Sequence, residues 1–263
     1  MEAMLPGVLG LITGLLLGLT GAGGGILAAP LLMLVMHLPL AKGAPISLIA
    51  MALGAGLGML IGLRQGIVRY RAAFLMAGAG LLATPFGIHL SRILPNTPLV
   101  LAFSALLAYQ AWRYWRGGES STTVKLPCVL DSTTGRFIWN RPCALAMLRS
   151  GMGAGFLSGL LGVGGGFILV PALRKNTTLP MHSVTATSLM VLALISTGGL
   201  LQWSASSGVE WAIGIPFALG AVAGMAIARQ LSPRIPEAPL RRIFASLCLL
   251  ASLALLVKVL AGI

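Results

Sequence analysis

"GLTGAGGGILAAP", Gly18 to Pro30, decides the fold of this chain. It lies inside a long apolar segment, where each glycine weakens a helix by about 1 kcal/mol relative to alanine. Three consecutive glycines, Gly23 to Gly25, therefore mark a break in a helix rather than part of one. The pattern returns as "GLLGVGGGFILVP", Gly159 to Pro171, so the break is used twice.

The surroundings of both breaks are those of a membrane protein. Of 263 residues, 57% are hydrophobic and 9% charged, and the mean hydropathy is +0.95. Soluble domains carry about 25% charged residues. Apolar segments fall near 5–37, 43–63, 72–91 and 98–115, then near 147–173, 183–203, 211–231 and 239–260. Most are long enough to cross a bilayer as helices, and the short alternating segments of a membrane barrel are absent. The N-terminus lacks the basic region of a signal peptide, so the first apolar segment is read as part of the fold. The expected class is an all-α polytopic membrane protein.

The second half repeats the first at an offset of 141 residues. Gly21, Gly23, Gly24, Gly25 and Pro30 correspond to Gly162, Gly164, Gly165, Gly166 and Pro171. Ser47-Leu48 corresponds to Ser188-Leu189, and Phe103 to Phe244. Residues 1–116 form one membrane repeat and 147–263 the other. The polar stretch 117–146 between them reads as a cytoplasmic linker, with a short hairpin near Thr134-Gly135.

Charge decides how the glycine segments run. If each crosses the membrane once, the 18 Lys and Arg residues divide ten against eight between the two faces. If each is a hairpin that enters and returns, only Lys42, Arg92 and Lys258 lie outside and fifteen lie inside. The hairpin satisfies the positive-inside rule. It makes the two copies inverted repeats, each a glycine-broken hairpin plus three transmembrane helices. Both termini, Lys42 and Glu210 are then outside.

Composition excludes several functions. The formal charge of +13 is explained by loop cations, without a basic stripe for nucleic acid. Cys128, Cys143 and Cys248 show no CxxC spacing, so a metal site is not expected and the thiols read as reduced and cytosolic. His37, His89 and His182 are too scattered for a metal. The glycine motif lacks the strand–helix frame of a dinucleotide site. No cofactor is implied, and no nucleophile–base pair suggests an enzyme. A homo-oligomer has no specific support.

A broken helix at membrane depth is tolerated only where protein or a water-filled cavity satisfies its backbone. Half-helices beginning after Gly25 and Gly166 offer free N–H groups and a fractional positive charge. Close helix packing is the competing explanation for glycine here. The five acids, Glu2, Glu119, Asp131, Glu210 and Glu237, all fall near segment ends or in loops. No carboxylate serves a cation at mid-membrane, so an anion suits the site better. The expected ligands are Gly21, Gly23, Gly24, Gly25, Gly162, Gly164, Gly165 and Gly166, supported by Ser47, Thr187 and Ser188. The two tips are expected to enter from opposite faces and meet near the pseudo-two-fold axis.

With "ISL" at Ile46–Leu48 and "ATSL" at Ala186–Leu189, the doubled motif resembles the sulfite exporter TauE/SafE family over nearly the whole chain. The resemblance implies an inner-membrane secondary transporter of sulfite or organosulfonates such as sulfoacetate, working by alternating access. A passive anion channel of the same fold is the alternative. An inside-negative potential expels anions by about 2.3 kcal/mol per charge per 100 mV, which makes uncoupled export downhill.

Overall fold

The computed structural model describes residues 4–116, 127–128, 137, 139–207, 209–231 and 237–261. Among them the chain is helical, with a lone parallel bridge between Cys128 and Thr177. In the first repeat, α1 (Met4–Thr20) leads into a 3₁₀ segment (Gly21–Leu27) and α2 (Ala28–Val35), followed by α3 (Leu40–Arg64), α4 (Tyr70–Ile93) and α5 (Asn96–Trp115). The second repeat contains α6 (Arg141–Leu161), α7 (Gly166–Asn176), α8 (Met181–Ser207), α9 (Trp211–Leu231) and α10 (Glu237–Leu260). The hairpin expected near Thr134-Gly135 lies outside the described residues.

Helices α3, α4, α6, α8, α9 and α10 are long and apolar enough to cross a membrane. Large apolar side chains such as Leu82 and Phe86 stay more than 70% exposed, as lipid-facing positions do. Helix α5 is not among the six, and its last turns carry Gln110 and Arg113.

Glycine dictates which helices pack. A Cβ at Gly10, Gly14 or Gly18 would run into Phe217, Ala221 or the Met225–Ala228 stretch. A Cβ at Gly151, Gly155 or Gly159 would run into Met76, Gly80 or Thr84. Shifted by 141 residues, these are the same contacts: α1 lies parallel to α9 as α6 lies parallel to α4. Small residues four apart let two backbones touch, and this drives helix association in lipid. Gly58 and Gly62 serve the α3–α8 contact similarly, meeting Leu189 and Ala186.

Counterpart helices run antiparallel. Along α3 and α8, Gly62 meets Ala186 at one end, while Ala44 and Leu48 cluster with Trp203 at the other. Along α5 and α10, the Tyr114 and Phe244 rings are 4.9 Å apart, and Ser252 donates to the Ser104 carbonyl.

These contacts trace the path of the glycine segment. Lys42, at the start of α3, forms a 2.8 Å ion pair with Glu210, just before α9. Gly7, in the first turn of α1, faces Pro216 of α9. Helices α1 and α3 thus start at one end of the molecule, and residues 4–35 enter and return. Lys258 donates to the Met33 carbonyl at that end, and Arg92 lies over Trp203.

Helix α6 begins at Arg141, ahead of the apolar segment near 147, because Asn140 accepts from the Cys143 N–H and Pro142 occupies the first turn. Two expectations need correction. The first break is wound into a 3₁₀ helix, so α2 starts at Ala28 and not directly after Gly25. Cys128 and Cys143 are joined in a disulfide rather than reduced. The Cys128 N–H donates to Asn176, which carries the linker to the end of α7 and brings the two sulfurs together.

Leucine at Gly14 or Gly155 should collapse the yield of folded, monodisperse protein in detergent. Gly153→Ala, with open space around it, should leave the thermal midpoint within error of wild type. Size-exclusion profiles and thermal unfolding check both.

Candidate functional site

The two glycine breaks have different structures. In the first, Gly21 turns at φ +74° and the chain then winds as 3₁₀ helix for seven residues. Such runs rarely exceed four residues, and within membrane helices they mark strain or a hinge. The Ala28 N–H bonds to the Gly25 carbonyl, so the backbone donors after the glycines are spent in the winding. In the second, Gly162, Gly164 and Gly165 all adopt φ near +69°, and α7 begins at Gly166. A left-handed residue followed by right-handed helix turns successive N–H groups toward one point, which is an anion-nest geometry.

Packing explains part of the motif. A Cβ at Gly24 would strike the backbone of Leu16 and Leu17, and one at Gly165 the backbone of Ala154. These two glycines are required by the tight hairpin. Gly25 is covered by Met51, while Gly23 faces the Tyr114 hydroxyl. Gly164 faces Leu192 and the Ser196 hydroxyl.

The expected hydroxyls are mostly occupied. Ser47 Oγ reaches the Gly162 carbonyl and the Ala44 carbonyl, tying α3 to the second break. Its counterpart Ser188 bonds back to Thr185 in its own helix. Thr187 Oγ1 accepts from the Arg69 N–H at 3.1 Å, fixing the start of α4. The turns do not meet. Gly21 sits on Thr185 and Gly162 on Ala44, at opposite ends of the α3–α8 pair and about 27 Å apart by helix rise. The returning arms do meet: the 3₁₀ segment lies against α7, with Ile26, Leu27, Val163 and Phe167 in one buried cluster.

Two residues outside the motif stand beside the second break. Ser158 and Ser196 are fully buried, and neither hydroxyl has a hydrogen-bond partner. Their counterparts are Leu17, which contacts Gly25, and Ala55. A buried, unpaired hydroxyl costs about 1–3 kcal/mol. The first break thus meets Leu17, Met51, Thr185 and the Tyr114 hydroxyl, and the second adjoins two unsatisfied hydroxyls. Subtracting one repeat from the other marks both positions, together with others such as Thr185 against Ala44, and burial then singles out this pair.

Crevices open at both ends of the molecule. One of about 520 Å³ lies at the Lys42 end, lined by His37, Asn96, Thr97 and Lys258. Another of about 460 Å³ lies at the opposite end, between α5 and α7. Among the described residues no cluster of His, Cys, Asp and Glu could hold a metal.

The family model for sulfite exporter TauE/SafE matches residues 7–255. The chain belongs to the TauE/SafE family. A probable membrane transporter protein of Xylella fastidiosa (strain 9a5c) is 28% identical over 246 residues, covering 89% of this chain and 87% of that protein. The probable membrane transporter protein YdhB of Bacillus subtilis (strain 168) is 23% identical over 234 residues, covering 88% and 90%. No solved structure matches. This TauE/SafE chain is a multi-pass membrane transporter, and its doubled glycine motif falls within the matched region.

Ser47→Ala should leave the Gly162 carbonyl short of a donor and cost about 1–3 kcal/mol. Ser188→Ala, which removes only a bond within its own helix, should cost less. Thermal unfolding in detergent measures the difference, and Ser188→Ala matching Ser47→Ala would refute the tether.

Proposed function

We propose that the protein is a secondary transporter of sulfur-containing anions, sulfite or organosulfonates, working by alternating access in the inner membrane. The observation that carries this reading is the second break. Two buried, unpartnered hydroxyls stand beside the N-terminus of α7, where left-handed glycines aim backbone N–H groups. Donors without acceptors are what an oxyanion needs. Gly164, Gly165, Gly166, Ser158 and Ser196 bind the anion in this proposal. Gly21, Gly23, Gly24 and Gly25 supply the facing arm. Ser47, Thr187 and Ser188 hold the backbone around them.

Inverted repeats are part of the proposal, supported by the antiparallel run of counterpart helices. Symmetry-related halves can exchange conformations, which opens the site to each face in turn. The breaks serve as hinges, and the 3₁₀ segment supplies a winding that can relax. The sidedness follows from charge: the end carrying Arg64, Arg113, Arg174 and Arg241 faces the cytosol, and both termini face out. The Cys128–Cys143 disulfide lies at that cationic end. Disulfides persist in oxidising compartments and form reversibly in the cytosol, so one labelling experiment reads both orientation and the state of this pair.

Two measurements test the proposal. Sulfite and 2-sulfoacetate binding to purified protein should weaken at least tenfold in Ser158→Ala/Ser196→Ala, with the fold retained. Unchanged affinity overturns the site. In proteoliposomes, flux should saturate and accelerate on counter-loading, whereas linear flux without counter-transport indicates a channel. For topology, single cysteines at Lys42 and Glu210 should react with an impermeant thiol reagent added outside, and a cysteine at Arg174 should not.

A further inference from the structure

We infer that the crevice between α5 and α7 is an anion vestibule at the cationic face, leading to the proposed site and selecting sulfonates that carry their own hydrogen-bond donor. The inference rests on the reading of this protein as an anion carrier. Arg113 and Lys175 line the crevice with Gln110, Tyr109, Phe167 and Ile168. Neither cation has a carboxylate partner among the described residues. Gln110 and Arg113 are three residues apart on α5 and share a face. Lys175 lies in the last turn of α7 and Phe167 in its first, about 12 Å deeper by helix rise. Phe167 directly follows Gly166, so the floor of the crevice abuts the second break.

The repeat provides the control. The counterparts of Tyr109, Gln110, Arg113 and Lys175 are Leu250, Ala251, Ala254 and Leu34. The other repeat therefore carries hydrocarbon at these four positions, its polar contact between α10 and α2 coming instead from Lys258 at the Met33 carbonyl. Positive-inside bias explains cations at this end. It does not explain Gln110, which is 2% exposed with a buried carbonyl oxygen that lacks a partner. An unmet amide oxygen beside two cations that have no carboxylate partner among the described residues fits a ligand with an oxyanion at one end and an O–H at the other. The sulfonate rests on Arg113 and Lys175, and the hydroxyl donates to Gln110 Oε1. The crevice volume, about 460 Å³, falls in the range of small-molecule sites. An anionic lipid headgroup offers the same chemistry, and the experiment separates the two.

The test uses purified full-length protein and two probes, 2-hydroxyethanesulfonate and ethanesulfonate. Wild type should bind the hydroxylated probe at least fivefold more tightly by calorimetry. Gln110→Ala should erase that preference while leaving ethanesulfonate affinity unchanged. Arg113→Ala/Lys175→Leu should weaken both probes at least tenfold. These are the residues of the other repeat, and size-exclusion profiles confirm folding. Equal binding of the probes by wild type, or variants indistinguishable from wild type, overturns the vestibule. So does native mass spectrometry in which the cation variant loses bound phosphatidylglycerol while sulfonate affinity and flux stay unchanged; that result assigns the crevice to lipid. If wild-type proteoliposomes carry no sulfonate at all, the carrier reading fails first, and the vestibule with it.

Discussion

Backbone broken inside a membrane must find its hydrogen-bond partners within the protein. That constraint organises this molecule. The first break meets it by winding Gly21–Leu27 into 3₁₀ helix, and the second by turning through three left-handed glycines with its first carbonyl held by Ser47. Both solutions require glycine, one because Leu16 lies against Gly24 and the other because Ala154 lies against Gly165. The two long helix pairs, α1 with α9 and α4 with α6, keep the hairpins enclosed. They too rest on backbone contacts that only small residues permit.

The two repeats share a plan and differ in chemistry. The first break is packed with Leu17 and Met51, with Thr185 at Gly21 and the Tyr114 hydroxyl at Gly23, whereas the second adjoins Leu192 and the unpaired hydroxyls of Ser158 and Ser196. On the proposed reading, duplication supplies a pair of hinges and divergence supplies one polar site. The same split recurs at α5 and α10, where Gln110 and Arg113 stand opposite Ala251 and Ala254 in the alignment of the halves.

Much of the architecture was legible in the sequence. The apolar segments and the low charge mark a helical membrane protein, and the structure has six helices long and apolar enough to cross a membrane among the described residues. Lys42 and Glu210, expected at one face, do form an ion pair. What was hidden depends on side-chain direction. Ser47 and Ser188 are equivalent in sequence, yet one reaches across to the other repeat and one bonds to its own helix. The 3₁₀ winding could not be read from Gly-Ala-Gly-Gly-Gly, because glycine permits either geometry. The disulfide was obscured because spacing does not show that Cys128 folds back onto Asn176 beside Cys143. Ser158 and Ser196 looked like ordinary helix serines, which commonly bond their own backbone; only packing shows that they do not.

The central claim is that the second break, not the first, binds the anion. The most direct measurement is an anomalous difference map from crystals soaked in 2-bromoethanesulfonate or selenate. The account predicts a peak within hydrogen-bonding distance of the α7 N-terminus, between Ser158 and Ser196, absent from crystals of Ser158→Ala/Ser196→Ala. A peak confined to the Gly21–Leu27 segment, or one that persists undiminished in the double variant, would contradict it.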